Sequence, residues 1–265
     1  MSRELPAPFW RHIHVRLGWP WLLVGAAWMT AITATLLGWR VLIDHHYLLE
    51  ESRLPWVVAA LVFLVGWQVM LVAMMAPSGV LIMPGMTADW SRRRYSRRKL
   101  ALFFAGYASV WTVFGLLAFT GDTQIHRLVD AWPWLAAHSF VIGATALAIA
   151  GIFQFTPWKS VCLTQCQALH DSFKGIAGKR SAWRQGTRHG VTSVGCCWAL
   201  MLVMFGIGVG DLVWMVALTV VMASESAIPD ERRSRNIRQV IGIALLLLAA
   251  LWLAHPAWLV PATAS

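Results

Sequence analysis

Seven long apolar segments, separated by short basic stretches, constrain this chain more than any other feature. A helix that crosses a hydrocarbon layer of roughly 30 Å needs about 20 apolar residues. The segments that meet this requirement or come close to it are 19–42, 56–75, 100–119, 139–155, 191–206, 212–224 and 237–253. Because backbone polar groups in lipid must be satisfied internally, the pattern predicts an all-α, polytopic transmembrane bundle of about seven helices.

The composition agrees with a membrane protein. Hydrophobic residues make up 58% of the 265 positions and charged residues 13%, which leaves too little polar surface for a soluble domain of this size. The 17 tryptophans against 3 tyrosines also fit a bilayer, since indole rings anchor at the level of the headgroups. We therefore expect the lipid bilayer as a partner, and no nucleic acid, although the net charge is +10.

The distribution of cations orients the predicted bundle. If the amino terminus lies in the cytoplasm, the internal stretches are 1–18, 76–99, 156–190 and 225–238. Of the 22 Lys and Arg residues, only Arg40, Arg53 and Arg127 then fall outside these stretches. Because cytoplasmic loops carry the excess of Lys and Arg, this map predicts a multi-pass protein of a cytoplasmic membrane with a periplasmic carboxyl terminus.

The same map predicts one transmembrane domain, 19–253, between a cytoplasmic tail, 1–18, and a periplasmic tail, 254–265. The first apolar segment could be a cleaved signal peptide, but its length favours an anchor helix. A glycine-rich turn joins the two segments of 191–224, which could span the membrane fully or form a re-entrant pair. Both options leave the other crossings unchanged.

The four cysteines carry the most chemical information in the sequence. Cys162 and Cys166 are four residues apart and share one helical face if the fourth helix continues inward. Cys196 and Cys197 are adjacent near the start of the fifth segment. On the predicted topology, both pairs lie at the cytoplasmic end of the membrane, where thiols stay reduced. We therefore expect four free thiols at one depth.

Methionines fall at the same predicted depth, at the inner end of the second segment and one turn beyond Cys197. Thiolates and thioethers are soft donors that select Cu(I), with Zn(II) possible where thiolates dominate. The candidate metal ligands, which include a histidine one turn after Cys166, are Cys162, Cys166, Cys196, Cys197, Met70, Met74, Met75, Met201 and His170. Ordinary packing between helices stays the alternative for each of these side chains.

No catalytic pattern stands out in the sequence. It has no Walker motif, no Rossmann glycine fingerprint and no G-x-S-x-G elbow, so we predict no catalytic residues. The best ionisable candidate inside a helix is Glu225, near the inner end of the sixth segment. An acidic group at that depth indicates a function unless the membrane interface solvates it.

Three blocks of sequence resemble a family of bacterial integral membrane proteins described as predicted metal-binding and associated with copper supply to copper oxidases. The first is Trp67-Gln-Val-Met-Leu-Val-Ala-Met-Met-Ala-Pro77, similar to that family's W-x-x-M-x-x-A-M-M-x-P run. The others run from Gly151 to Cys166 and from Gly195 to Met201. The resemblance covers roughly residues 56–226, and it implies copper as the metal and a periplasmic or membrane copper protein as a partner.

Within the second block, Phe153 and Trp158 replace the Tyr and Leu that are usual in this family, but neither residue is a metal ligand. Our leading hypothesis is a membrane protein that binds Cu(I) through Cys and Met donors for copper delivery or transport. The alternatives are a structural or assembly subunit of a larger membrane complex, and a membrane thiol–disulfide oxidoreductase. The last alternative is the only one that is an enzyme, and a vicinal disulfide would be strained.

Overall fold

The computed structural model of the chain describes residues 19–39, 54–82, 97–171, 179–207, 211–228 and 230–255. Within these ranges the regular secondary structure is helical, without a strand. The helices are α1 (Trp19–Leu36), α2 (Trp56–Ile82), α3 (Arg97–Ala131), α4 (Pro133–Ala137), α5 (Phe140–Phe153), α6 (Pro157–Asp171), α7 (Lys179–Ile207), α8 (Leu212–Ala227) and α9 (Glu231–Ala254). The predicted all-α class is confirmed for this part of the chain.

Four helices among the described residues are long and apolar enough to cross a membrane. The qualifying stretches are Trp56–Ser78, Ala101–Ala131, Ser181–Ile207 and Glu231–Ala254. The pair α5 and α6 qualifies only when both are taken together, with a bend of 71° between them, and α1 and α8 are apolar but shorter. Each predicted segment therefore corresponds to an apolar helix, whereas seven complete crossings and their orientation stay predictions.

The helix ends follow local chemistry that the apolar pattern does not reveal. α1 stops at Leu36 because Gly38 adopts a φ of 66°, and Trp39 donates its N–H to the Ala34 carbonyl, as in a Schellman motif. The Asp211 carboxylate accepts hydrogen bonds from the first backbone N–H groups of α8. α7 begins at Lys179 rather than near residue 191, because its first turns are polar and a hydropathy pattern marks spans rather than helix ends.

α7 is the central helix of the described bundle, in contact with α3, α5, α6 and α8. α2 packs against α1, α3 and α8, while α9 packs against α5 and α8. The close approach of α3 and α7 depends on Gly186, since a Cβ there would collide with the Phe103 carbonyl oxygen. Side chains of α7 can therefore meet those of several neighbouring helices at short range.

Side-chain contacts fix the relative directions of the helices. The Phe63 ring on α2 stacks on Phe119 of α3 with centroids 4.6 Å apart, and Gln68 donates to Thr112 at 2.8 Å, so α2 and α3 are antiparallel. Phe103 of α3 approaches Gly186 of α7, and Tyr107, further along α3, contacts Ser193, further along α7. Both residue numbers rise together, so α3 and α7 are parallel. α2 therefore runs opposite to α7.

Candidate metal centre

The thiols of three cysteines come together where α6 crosses α7. The Sγ atoms of Cys196 and Cys197 lie 3.3 Å apart, and Cys166 is close enough to Cys196 to interact with it. Cys196 and Cys197 are buried, Cys166 is half-buried, and all four cysteines of the chain are free. A helix that crosses its neighbour at this level thus gathers thiols that are 30 residues apart in the chain.

The fourth thiol, Cys162, reaches α7 through a gap that a glycine leaves open. A Cβ on Gly195 would lie 2.9 Å from Cys162 Sγ, which is closer than real side chains approach. Cys162 is buried and near enough to Cys197 for the two thiols to interact. The structure therefore brings the two cysteine pairs into one cluster, which we call the thiol cluster: Cys162, Cys166, Cys196 and Cys197.

Two polar side chains of the surrounding helices extend the thiol cluster. His189 Nδ1 lies 4.0 Å from Cys166 Sγ, and the imidazole packs against the Tyr107 ring with centroids 5.5 Å apart. The Tyr107 hydroxyl and Ser193 Oγ are 3.1 Å apart. An imidazole next to a thiol is a possible borderline donor for a metal. His189 is not among the ligands predicted from the sequence, although it precedes Cys196 by two helical turns on the same face.

The candidate methionines are buried in the same hydrophobic core as Cys162, Cys196 and Cys197: Met70, Met74, Met75 and Met201. The Trp67 ring on α2 meets Phe205 of α7, with centroids 5.7 Å apart. Met75 follows Trp67 by eight residues, and Cys197 precedes Phe205 by eight residues, a rise of about 12 Å in each helix. Because the two helices are antiparallel, Met75 lies at the level of Cys197. Met74 and Met75 of α2 therefore lie at about the level of Cys196 and Cys197, and Met70 and Met201 lie further along the same helices.

The remaining candidate ligand, His170, lies in α6, but the structure describes only its backbone and not its side chain. Among the described residues, no three His, Cys, Asp or Glu side chains already form a group that could hold a metal ion. The thiols are thus neighbours within interaction range, and side-chain rotation would have to bring them onto one ion.

A buried ion pair lies near the thiol cluster. Lys159 Nζ on α6 lies 2.8 Å from Glu225 Oε2 on α8, and the two side chains are 0% and 2% exposed. Lys159 is near enough for its charge to act on Cys196 and Cys197, and Glu225 for its charge to act on Cys197. In the sequence, Lys159 is one of the cations of the 156–190 stretch, and the structure buries its side chain against Glu225.

The spacing along each helix contained a signal for the missed residues. Lys159, Cys162 and Cys166 follow one another at i, i+3 and i+7, which is one face of α6. His189, Ser193 and Cys197 form a similar row at i, i+4 and i+8 on α7. Polar and soft residues that share a helical face with candidate ligands are therefore the ones to examine first.

Comparison with known proteins gives one informative result. A family model described as PpoB2, copper chaperone, matches residues 64–252, which is more than half of the chain. The chain belongs to the PpoB2 copper chaperone family. The match begins in α2, ends in α9 and includes the whole thiol cluster and the buried methionines, so the resemblance to a copper-supply family is confirmed. No curated protein and no solved structure matches the chain.

Proposed function

We propose that this member of the PpoB2 copper chaperone family is embedded in the bacterial cytoplasmic membrane and carries Cu(I) as its cargo. The thiol cluster and the buried methionines beside it would hold the ion. The observation that carries the proposal is that two cysteine pairs from different helices, in a copper chaperone family, meet in one buried cluster at the depth of further sulfur donors.

The chemistry of the donors favours Cu(I) over harder cations. Thiolates and thioethers are soft ligands, and Cu(I) is satisfied by two or three of them. Two thiolates of the thiol cluster would form the primary site, and Met75 or Met201 would supply an additional thioether. Because Cys162, Cys196 and Cys197 are buried, water would have little access to a bound ion.

The membrane location rests on the four helices that are long and apolar enough to cross a bilayer, together with the bent pair α5 and α6. The asymmetry of Lys and Arg along the chain supports an amino terminus in the cytoplasm and the thiol cluster at the inner leaflet. Copper would then be bound close to the reducing side of the membrane and delivered to a copper protein in the membrane or the periplasm.

Individual cysteine substitutions test the site. We expect Cys162→Ser and Cys197→Ser each to lower Cu(I) affinity by at least about tenfold, or about 1.4 kcal/mol, since each removes a thiolate donor. The double variant should lose less than the sum of the two, because ligands of one ion are not additive. Affinity is measured by competition with a chromophoric Cu(I) chelator, on protein purified in detergent under reducing conditions.

A matched pair of methionine variants provides the control. Met75→Leu should weaken Cu(I) binding, whereas Met215→Leu, a buried methionine near the opposite end of α8 from Glu225, should not. Both changes conserve volume and should cost less than about 1.5 kcal/mol in stability. Unchanged affinity in both cysteine variants would refute the site. Stoichiometric binding of Zn(II) without binding of Cu(I) would refute the assignment of Cu(I) as the bound metal.

A further inference from the structure

The buried ion pair between Lys159 and Glu225 is expensive for the fold. Removing two charges from water costs several kcal/mol per ion, and an apolar pair of similar volume is often as stable or more stable. Lys159 and Glu225 nevertheless lie on different helices with a separation of 2.8 Å and almost no exposure. Glu225 Oε1 has no hydrogen-bond partner among the described residues, so the pair is not optimised as a structural element. This arrangement indicates a role beyond stability.

A third buried charge belongs to the same region. Arg238 on α9 is 6% exposed, its Nε has no hydrogen-bond partner among the described residues, and its charge acts on Glu225. The other charged groups that act on Arg238 are the exposed Arg235 and Glu231, which pair with each other at 3.5 Å. The three buried groups Lys159, Arg238 and Glu225 therefore carry one net positive charge.

The negative charge of the Cu(I) complex would balance this excess positive charge. When Cu(I) binds two thiols, both protons leave for the solvent, copper stays Cu(I), and the complex of one cation with two thiolates carries a net charge of −1. An anion in a low-dielectric interior is unstable unless a positive charge lies close by. Lys159 is the cation nearest in sequence to the cysteines of α6, and it acts on both Cys196 and Cys197.

We propose that Lys159 is the charge-compensating residue of the metal site: it is held by Glu225 when the site is empty and balances the anionic bis-thiolate complex of Cu(I) when the site is filled. The inference rests on the proposed Cu(I) function. It makes the site selective for monovalent soft cations, because a divalent ion with two thiolates is already neutral and gains nothing from the lysine. Lys159 is thus a positioning and specificity residue rather than a ligand.

The experiment compares ions of different charge with similar coordination. Hg(II) binds two thiolates in the linear geometry available to Cu(I), but its complex is neutral, whereas Ag(I) gives the same charge as Cu(I). We expect Lys159→Gln to weaken Cu(I) and Ag(I) binding by about tenfold, or about 1.4 kcal/mol. Hg(II) binding, measured by competition with a soluble dithiol, should stay within about twofold of the wild type, since desolvation and geometry are common to both ions.

Three further variants keep the test independent of folding. Lys159→Arg retains the charge and should restore Cu(I) affinity. Glu225→Gln removes the competing anion and should leave Cu(I) affinity equal or higher. The double variant Lys159→Gln/Glu225→Gln leaves neither charge of the pair buried alone, so the protein should fold. Its Cu(I) affinity should fall by less than that of Lys159→Gln alone, and its Hg(II) affinity should be unchanged.

The outcomes separate the inference from the function on which it rests. The two neutral variants are Lys159→Gln and Lys159→Gln/Glu225→Gln. If both lose Cu(I) and Hg(II) affinity in parallel, Lys159 only shapes the site, and the inference is overturned while the Cu(I) function stands. Unchanged Cu(I) affinity in both neutral variants would overturn it as well. A wild-type protein that binds no Cu(I) would overturn the proposed function and this inference together. A selective loss for Cu(I) and Ag(I), with rescue by Arg, supports it.

Discussion

The contact between Gly195 and Cys162 can be tested with a single methyl group. In Gly195→Ala, the new Cβ would lie 2.9 Å from Cys162 Sγ and 3.6 Å from Cys162 Cβ. Since ordinary contacts begin near 3.4 Å, the thiol has to move by roughly half an ångström, and overpacking of this kind costs about 1–3 kcal/mol. Alanine in place of glycine inside a helix contributes about 1 kcal/mol in the opposite direction.

The matched control is Gly121→Ala in α3, where a Cβ would meet no atom within 4 Å. Both variants gain the same helix propensity, so the difference between their unfolding free energies isolates the clash, which we expect to be about 1–3 kcal/mol. Thermal unfolding in detergent measures this difference. If Cys162 is a ligand, its displacement should also lower Cu(I) affinity by about tenfold in Gly195→Ala and leave it unchanged in Gly121→Ala.

A second substitution separates the packing effect from the metal effect. Gly195→Ala combined with Cys162→Ala removes the atom that the new methyl group meets, so stability should recover while Cu(I) affinity stays low. Equal stability of Gly195→Ala and Gly121→Ala, with Cu(I) affinity as in the wild type, would refute the close contact. It would also refute a place for Cys162 in the site.

Two other predictions concern the frame that holds the site. Gly186→Ala should prevent accumulation of folded protein, because its Cβ would collide with the Phe103 backbone carbonyl, which cannot rotate away; normal yield and melting would contradict the α3–α7 packing. For the orientation, a cysteine at the exposed Gln124 should react with an impermeant maleimide on intact cells, and one at the exposed Glu231 only after permeabilisation. Both are introduced in a background without native cysteines, and the reverse pattern would contradict the predicted topology.

The sequence predicts the helical frame well because one physical quantity controls it. Long apolar segments become helices wherever the backbone has to satisfy its own hydrogen bonds, and every predicted segment corresponds to a helix of the described chain. The juxtaposition of Cys162 and Cys166 with Cys196 and Cys197 follows from the same frame, since the predicted topology puts both pairs at the same end of neighbouring segments. Depth along the bundle can be read from one sequence.

The electrostatics of the site could not be read in the same way. Lys159 and Arg238 look like solvated cations in sequence, because they lie in the basic stretches that flank apolar segments. Their burial depends on Glu225, which belongs to another helix, and only tertiary packing brings the three together. A hydropathy pattern reports the preference of each residue alone, whereas a buried charge is stable only with its partner.

The bend between α5 and α6 explains how the cysteines of α6 stay near those of α7. Phe153, at the end of α5, packs on Trp198 with ring centroids 5.2 Å apart, and Cys166 contacts His189. A straight helix from residue 153 to 166 would rise about 20 Å, whereas the nine residues from 189 to 198 of α7 span only about 14 Å. The 71° bend shortens the rise by tilting α6.

The tilt also connects α6 to the end of α8. Gln167 Nε2 donates to the carbonyls of Ser226 and Ile228, both at 3.3 Å, next to the position of Glu225. These bonds and the Lys159 ion pair connect α6 to α8 at two points, while Cys162 contacts α7 at Gly195. The bend therefore lets one short helix reach both α7 and α8.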